Sequence, residues 1–314
     1  MTLNDRALRL VDELVQEASR YRVHVARIAG ARVVDCGGLA EGGLAAGVLT
    51  ARICLADLAD VSLVPYPLRE LGGMAVQVHT DDPVRACLAS QYAGWRIQVG
   101  SYFAMASGPM RIVAAREELY QHIAVREEAA AAVGVLESSQ HPTEEVVTAI
   151  VAKLPPQTQH LHLLTAPTTS LVGTLQVVAR SVETALHKLY ELRFDVQQVV
   201  SAWGIAPLPP VARDTIGAIG RTNDAILYGA EVVLWVHSDD EQLASLGPHV
   251  PACASRDYGQ PFADIFTRYH GDFYRIDPLL FSPAVVEFRN LRTGRGHRFG
   301  QWEPNILRRS FGWQ

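Results

Sequence analysis

Strand-length apolar runs and amphipathic helical stretches alternate irregularly along this chain, never settling into the strand–helix–strand repeat that a doubly wound parallel sheet requires. The opening MTLNDRALRLVDELVQEASR places Leu3, Ala7, Leu10, Val11, Leu14 and Val15 on one helical face. Tyr21 to Cys36 alternates as a hairpin with Gly30 at its turn. Helical spacing follows from Leu44 to Leu58 and from Asp82 to Ala93, with strand-like runs at Val61 to Val64, Met74 to His79 and Trp95 to Tyr102. Gly37, Gly38, Gly42 and Gly43 do not keep GxGxxG spacing, so they predict a tight connection or close helix packing, not a phosphate loop. Met110 to Val135 is less regular and ends in an alanine-rich run entering a buried strand. Thr143 caps a helix that carries Glu144 and Glu145 in its first turn. A strand at Val196 to Ser201 runs into AWGIAPLPPVA, whose prolines predict a stiff loop, and RTND predicts a turn before a long apolar strand. A helix around Phe262 to Tyr269, a strand at Ala284 to Phe288, a turn at Thr293-Gly294 and a helix from Pro304 complete the pattern. The expected class is α+β and not a Rossmann fold, in two lobes: residues 1–140 and 141–314, with exchange of segments between them left open.

The stretch APTTSLVGTLQVVARSVETALHKL, Ala166 to Leu189, carries the chemistry. It reads as a polar loop feeding a helix in which Val178, Val182, Ala185, Leu186 and Leu189 form a stripe for the core. Arg180 and Glu183, three residues apart, then project together from another face toward solvent, a partner or a pocket. Such a pair is ordinary on a protein surface. The loop in front of it adds Pro167, Thr168, Thr169, Ser170 and Gly173, with backbone and hydroxyl donors beside a helix start.

Composition removes several function classes. With 48% hydrophobic and 19% charged residues the 314-residue chain resembles a compact soluble protein, and a net charge of -5 without any basic tract argues against nucleic-acid binding. No apolar run has membrane-spanning length, and the N-terminus lacks the apolar core of a signal peptide. Cys36, Cys54, Cys87 and Cys253 form no CxxC, so neither a zinc knuckle nor a disulfide framework is expected; the reading is a reduced, cytoplasmic protein. His160 and His162 of QHLHLLT share a strand face and could pair as metal ligands, but no third ligand is placed by sequence.

Eight ordered strings carry a resemblance: HTDDPVRACLASQYAGW, SYFAMASGPMR, GVLESS, APTTSLVGTLQVVARSVETALHKL, GIAPLPPVARD, TNDAILYG, SRDYGQPFADIF and DFYRIDPLLFSPA. Together they resemble the methenyltetrahydromethanopterin cyclohydrolases, over most of the chain. The resemblance implies an α+β subunit of two lobes with the pterin held between them, assembled as a homo-oligomer, typically a trimer. It implies no redox cofactor and no metal. The family's catalytic glutamate and its arginine partner fall on Glu183 and Arg180, and a second family glutamate falls on Glu137. Thr168, Ser170, Thr222, Asn223 and Asp224 are candidates for holding the pterin, directly or from behind.

The chain also departs from the family. Where archaeal members read QKAGW with a pocket lysine, this chain has Tyr92, which can donate a hydrogen bond but carries no charge at neutral pH; GSGPAR is here ASGPMR, with Ala106 and Met110. These changes leave open a bacterial branch with a differently decorated pterin or a non-catalytic pterin-binding paralogue, and the HxH of His160 and His162 leaves a third reading, a zinc hydrolase.

Overall fold

The structure is a computed structural model that describes residues 1–68 and 73–313. Among the described residues twelve strands occur: β1 His24–Ile28, β2 Ala31–Asp35, β3 Asp60–Pro65, β4 Met74–Thr80, β5 Trp95–Val99, β6 Tyr102–Ser107, β7 Ala131–Glu137, β8 His160–Thr165, β9 Val199–Pro207, β10 Glu231–Val236, β11 Val285–Asn290 and β12 Gly296–Gly300. They form two mixed sheets, ordered β1-β2-β8-β7-β6-β5 and β12-β11-β10-β9-β4-β3. Only β2/β8, β7/β8 and β10/β11 pair in parallel; the other pairs are antiparallel. Two mixed sheets with interspersed helices are the α+β class expected from the irregular pattern.

The chain divides into two compact units, each made of two segments: Met1–Ala59 with Arg85–Gln176, and Asp60–Val84 with Val177–Gln314. A single cut near residue 140 does not describe them. β8 lies between β2 and β7 in the first sheet, while β3 and β4 belong to the second. Strand partners far apart in sequence decide membership, and no local signal announces them.

In the first unit the sheet buries both faces, following the two-residue period of strands. Val34, Val133, Val135 and Leu164 meet the helix Leu3–Gln16 through Ala7, Leu10, Val11 and Leu14. Val33, Ala132, Leu136 and Leu163 meet Val146, Val147 and Ile150 of the helix Glu144–Val151. Both helices start on side-chain caps: Thr2 forms a capping box with Asp5, and the Thr143 hydroxyl accepts the Val146 N–H. In the second unit, Gly204 of β9 lets the helix Ser181–Glu191 approach closely, since a Cβ there would stand 2.6 Å from Ser181 Oγ. The helix Thr215–Leu227 packs on the helix Phe262–Arg268 in the same way, Gly220 facing Ala263.

Several local expectations are corrected. Trp95 to Tyr102 is two strands, β5 and β6, folded back at Gly100, whose φ of 56° is the left-handed region that glycine takes without strain. Asp82 to Ala93 narrows to a π-helical stretch, Val84–Gln91, and the helix from Leu44 ends at Cys54. β9 continues through AWGIAP to Pro207, because its neighbours bond the backbone on both sides and the proline stands at the strand end, where a missing N–H costs least. The TND segment lies inside the helix Thr215–Leu227 instead of forming a turn, and the helix is capped by Asp214, whose carboxylate accepts the Gly217 N–H at 2.8 Å. The hairpin with Gly30 at its turn is as expected. So is the close packing of the glycine cluster: a Cβ on Gly37 would stand 2.4 Å from Ser170 Oγ, and one on Gly42 2.3 Å from the Cys36 carbonyl.

Candidate active site

Three parallel strands of the first unit end at one edge. β2 stops at Asp35 and β8 at Thr165, which are register partners, and Thr165 pairs Leu136, the residue before Glu137 in β7. Carboxyl ends of adjacent parallel strands are where loops with binding groups gather. From β2 the glycine loop leaves, anchored by Asp35, whose Oδ1 accepts the Gly37 and Gly38 N–H groups at 3.1 and 2.7 Å and whose Oδ2 accepts those of Leu39 and Ala40 at 2.6 and 2.9 Å. Burial pushes this carboxyl up, and the four donors outweigh it and hold the group below the usual carboxylate range. Sequence reasoning missed Asp35; an aspartate two residues before a glycine pair was the available signal.

From β8 the loop through Pro167, Thr168 and Ser170 leaves beside Glu137, the Ala166 N–H bonding the Leu136 carbonyl at 3.1 Å. Thr168 and Glu137 are both half-buried, Glu137 ending β7 and Thr168 lying in the loop that follows β8. Ser170 is occupied by its own turn: its hydroxyl donates to the Pro167 carbonyl at 2.7 Å and accepts the Gly173 N–H at 3.0 Å. It therefore shapes the loop and does not offer a donor to a ligand. Gly173 is required for the same turn, since a Cβ there would stand 2.0 Å from the Pro167 carbonyl oxygen.

The expected single helix after this loop is two helices, Leu171–Val178 and Ser181–Glu191, separated at Ala179 and Arg180. Arg180 is the N-cap of the second helix, its carbonyl accepting the Thr184 N–H at 2.9 Å, and Glu183 sits in the first turn. A carboxylate at a helix N-terminus meets the positive end of the peptide dipoles, which favours its ionised form. The stripe Val178, Val182, Ala185, Leu186 and Leu189 is buried as expected, but so is the charged pair: Arg180 is 7% and Glu183 4% exposed. A break before the helix, and not helical periodicity alone, sets the Arg180 backbone.

Tyr92 follows the π-helical stretch and stacks on a residue that sequence reasoning passed over. The guanidinium of Arg111 lies 5.0 Å from its ring centroid and 5.5 Å from that of Tyr120. Arg111 is fully buried, bonds the Leu88 and Ser90 carbonyls at 3.3 and 3.2 Å, and pairs with Glu117 through two nitrogens, Nε at 2.9 Å and Nη2. A cation thus stands behind the tyrosine.

Thr222, Asn223 and Asp224 turn inward. The Thr222 hydroxyl donates to Ala218 and Ile219 carbonyls, and Asn223 Nδ2 to Ile219 at 2.8 Å, one helical turn back. Asp224 accepts the Phe262 N–H at 2.8 Å and so caps the neighbouring helix. These contacts support the helix pair of the second unit. Burial pushes the Asp224 carboxyl up to about 7, against the donors of Ser310 and Phe262. The unfolded chain ionises near 3.8, so folding holds a proton that the unfolded state releases, and stability contributed here falls as pH rises from about 4 through 7. Asp224→Asn keeps the acceptor and removes the titration; its melting temperature relative to the parent is expected to climb between about pH 4 and pH 8, measured by thermal denaturation.

Cys36, Cys54, Cys87 and Cys253 are all free thiols. Among the described residues no three His, Cys, Asp or Glu side chains stand together to hold a metal ion, and no helix is long and apolar enough to cross a membrane.

Comparison with known proteins places the chain in an enzyme family. The family model described as Cyclohydrolase (MCH) matches residues 2–311, and the chain belongs to that family. It is 51% identical over 290 residues to a methenyltetrahydromethanopterin cyclohydrolase of Rhodopirellula baltica, covering 91% of this chain and 87% of that protein. It is 44% identical to the protein of the same name from Methylobacterium sp. (strain 4-46), covering 99% and 97%, and 38% identical to that from Methanocaldococcus jannaschii, covering 100% and 99%.

Proposed function

We propose that this protein adds water to the methenyl bridge of a tetrahydromethanopterin-type carrier, giving the N5-formyl derivative in one-carbon metabolism. The observation that carries this is the family match over residues 2–311, shared with bacterial and archaeal relatives that bear the cyclohydrolase name.

The bridging carbon lies between two nitrogens and carries positive charge, so water can attack it without a Lewis acid or a redox cofactor. A positioned base must accept a proton as the C–O bond forms. Glu183 takes that role, and Arg180, three residues before it, holds the carboxylate. The adduct is a neutral carbinolamine. Its collapse breaks the bond from carbon to N10, which takes up a proton from Glu183, while the hydroxyl proton leaves as the formyl C=O forms; one proton is released overall. Glu137 and Thr168, at the strand-end edge of the first unit, are the groups for the pterin, with Tyr92 as a neutral donor backed by Arg111. The protein would act in the cytoplasm as a homotrimer, in formaldehyde oxidation or a methanogenesis-type flow.

A spectrophotometric assay with methenyltetrahydromethanopterin tests the proposal. The methenyl absorbance should decay many times faster with protein than in buffer; tight binding with decay at the buffer rate would establish the non-catalytic paralogue instead.

A further inference from the structure

Arg27, Arg32 and His162 stand side by side on three neighbouring strands. β1 pairs Arg27 with Arg32, and β2 pairs Arg32 with His162, so the three side chains leave one face of the sheet in a row. Like charges placed directly opposite across an antiparallel pair oppose folding, and a sheet without a use for them would not set two arginines there. His160, two residues before His162, lies on the same face. The row lines a groove of about 260 Å³ closed on its other side by Leu8 and Asp12 of the helix Leu3–Gln16.

The charges in this groove do not balance. Arg32 Nη1 donates to Asp12 at 2.5 Å, which offsets one guanidinium. Arg27 is exposed and has no ion pair among the described residues. At the deep end His162 is 8% exposed, and its Nδ1 is buried with no hydrogen-bond partner among the described residues. Burial and the Arg32 charge push this imidazole down to about 4, so at neutral pH it is an uncharged ring able to give one N–H. A neutral imidazole beside an uncompensated guanidinium in one groove is the donor set of an oxyanion site.

We infer that this groove binds a phosphate group, with Arg27 and Arg32 supplying charge and the uncharged His162 imidazole a hydrogen-bond donor. It lies at the starts of β2 and β8, whereas the candidate active-site loops leave from their carboxyl ends. The groove is thus at the opposite strand ends from the loops of Glu137 and Thr168, and the inference stands whether or not the proposed reaction does.

Isothermal titration of the whole protein with inorganic phosphate and with glycerol 3-phosphate, at constant ionic strength, tests it, with His162 ring resonances followed by NMR. Saturable binding that shifts the His162 signals is expected, weakened about tenfold in Arg27→Gln, whose exposed side chain can be replaced without disturbing the core. Tighter binding of glycerol 3-phosphate would identify a phosphomonoester as the ligand; equal binding would identify free phosphate. Absence of saturable binding, unmoved His162 signals, or unchanged affinity in Arg27→Gln would overturn the inference.

Discussion

Glu183→Gln is expected to lower the hydrolysis rate by about 10²–10⁴-fold while the folded structure and ligand affinity persist. The amide keeps the shape of the carboxylate and can still accept a hydrogen bond from a neighbour, but it cannot take a proton from water. The loss should therefore fall on kcat, with KM little changed. Because Glu183 is buried in the first turn of its helix, a purely structural role predicts a different outcome: a lower melting temperature, with turnover per folded molecule unchanged. Steady-state kinetics beside thermal denaturation separates the two. Near-parental turnover would exclude Glu183 as the base.

The largest effect on stability is expected at Arg111. Arg111→Met should cost about 3 kcal/mol, measured by urea denaturation, because it leaves Glu117 without its partner in a largely buried position. It also strips the Leu88 and Ser90 carbonyls of a donor and removes the cation beneath Tyr92 and Tyr120. Replacing both members of the pair, Arg111→Met with Glu117→Gln, should recover part of the loss, since an uncompensated charge is the costliest element of the single variant. A single variant as stable as the parent would remove Arg111 from this role.

Much of the fold follows from periodicity within short windows. The stripe on Leu3–Gln16, the Thr143 cap and the Gly30 hairpin are decided by residues a few positions apart, and the structure has them as expected. The failures share one cause. TND carries turn residues, yet Thr222 and Asn223 satisfy themselves on carbonyls one turn back and Asp224 accepts from a neighbouring helix, so the helix runs through. AWGIAP holds a glycine and a proline, yet strands on both sides draw it into a sheet, and Gly204 serves close helix approach. The helix expected to carry Arg180 breaks at that residue.

The candidate site was legible as residue types and only partly as geometry. Arg180 and Glu183 were recognisable from their string, but their burial was not, because periodicity marks apolar faces and gives no account of a charged pair enclosed from elsewhere. The ends of β7 and β8, from which Glu137 and the Thr168 loop follow, are aligned by a register between strands more than twenty residues apart in sequence. Asp35 and Arg111 were silent until their partners appeared: backbone donors in one case, and in the other a glutamate and two tyrosine rings.

Sequence alone determined the α+β class and the family, because local hydrophobic period and chemical type are properties of a residue and its near neighbours. Tertiary structure decided which strands share a sheet, where the chain crosses from one unit to the other, and whether a polar side chain is offered to a ligand or spent on its own backbone. Those outcomes depend on partners brought together by strand pairing across the chain, and the free energy of such a contact is written in neither segment by itself.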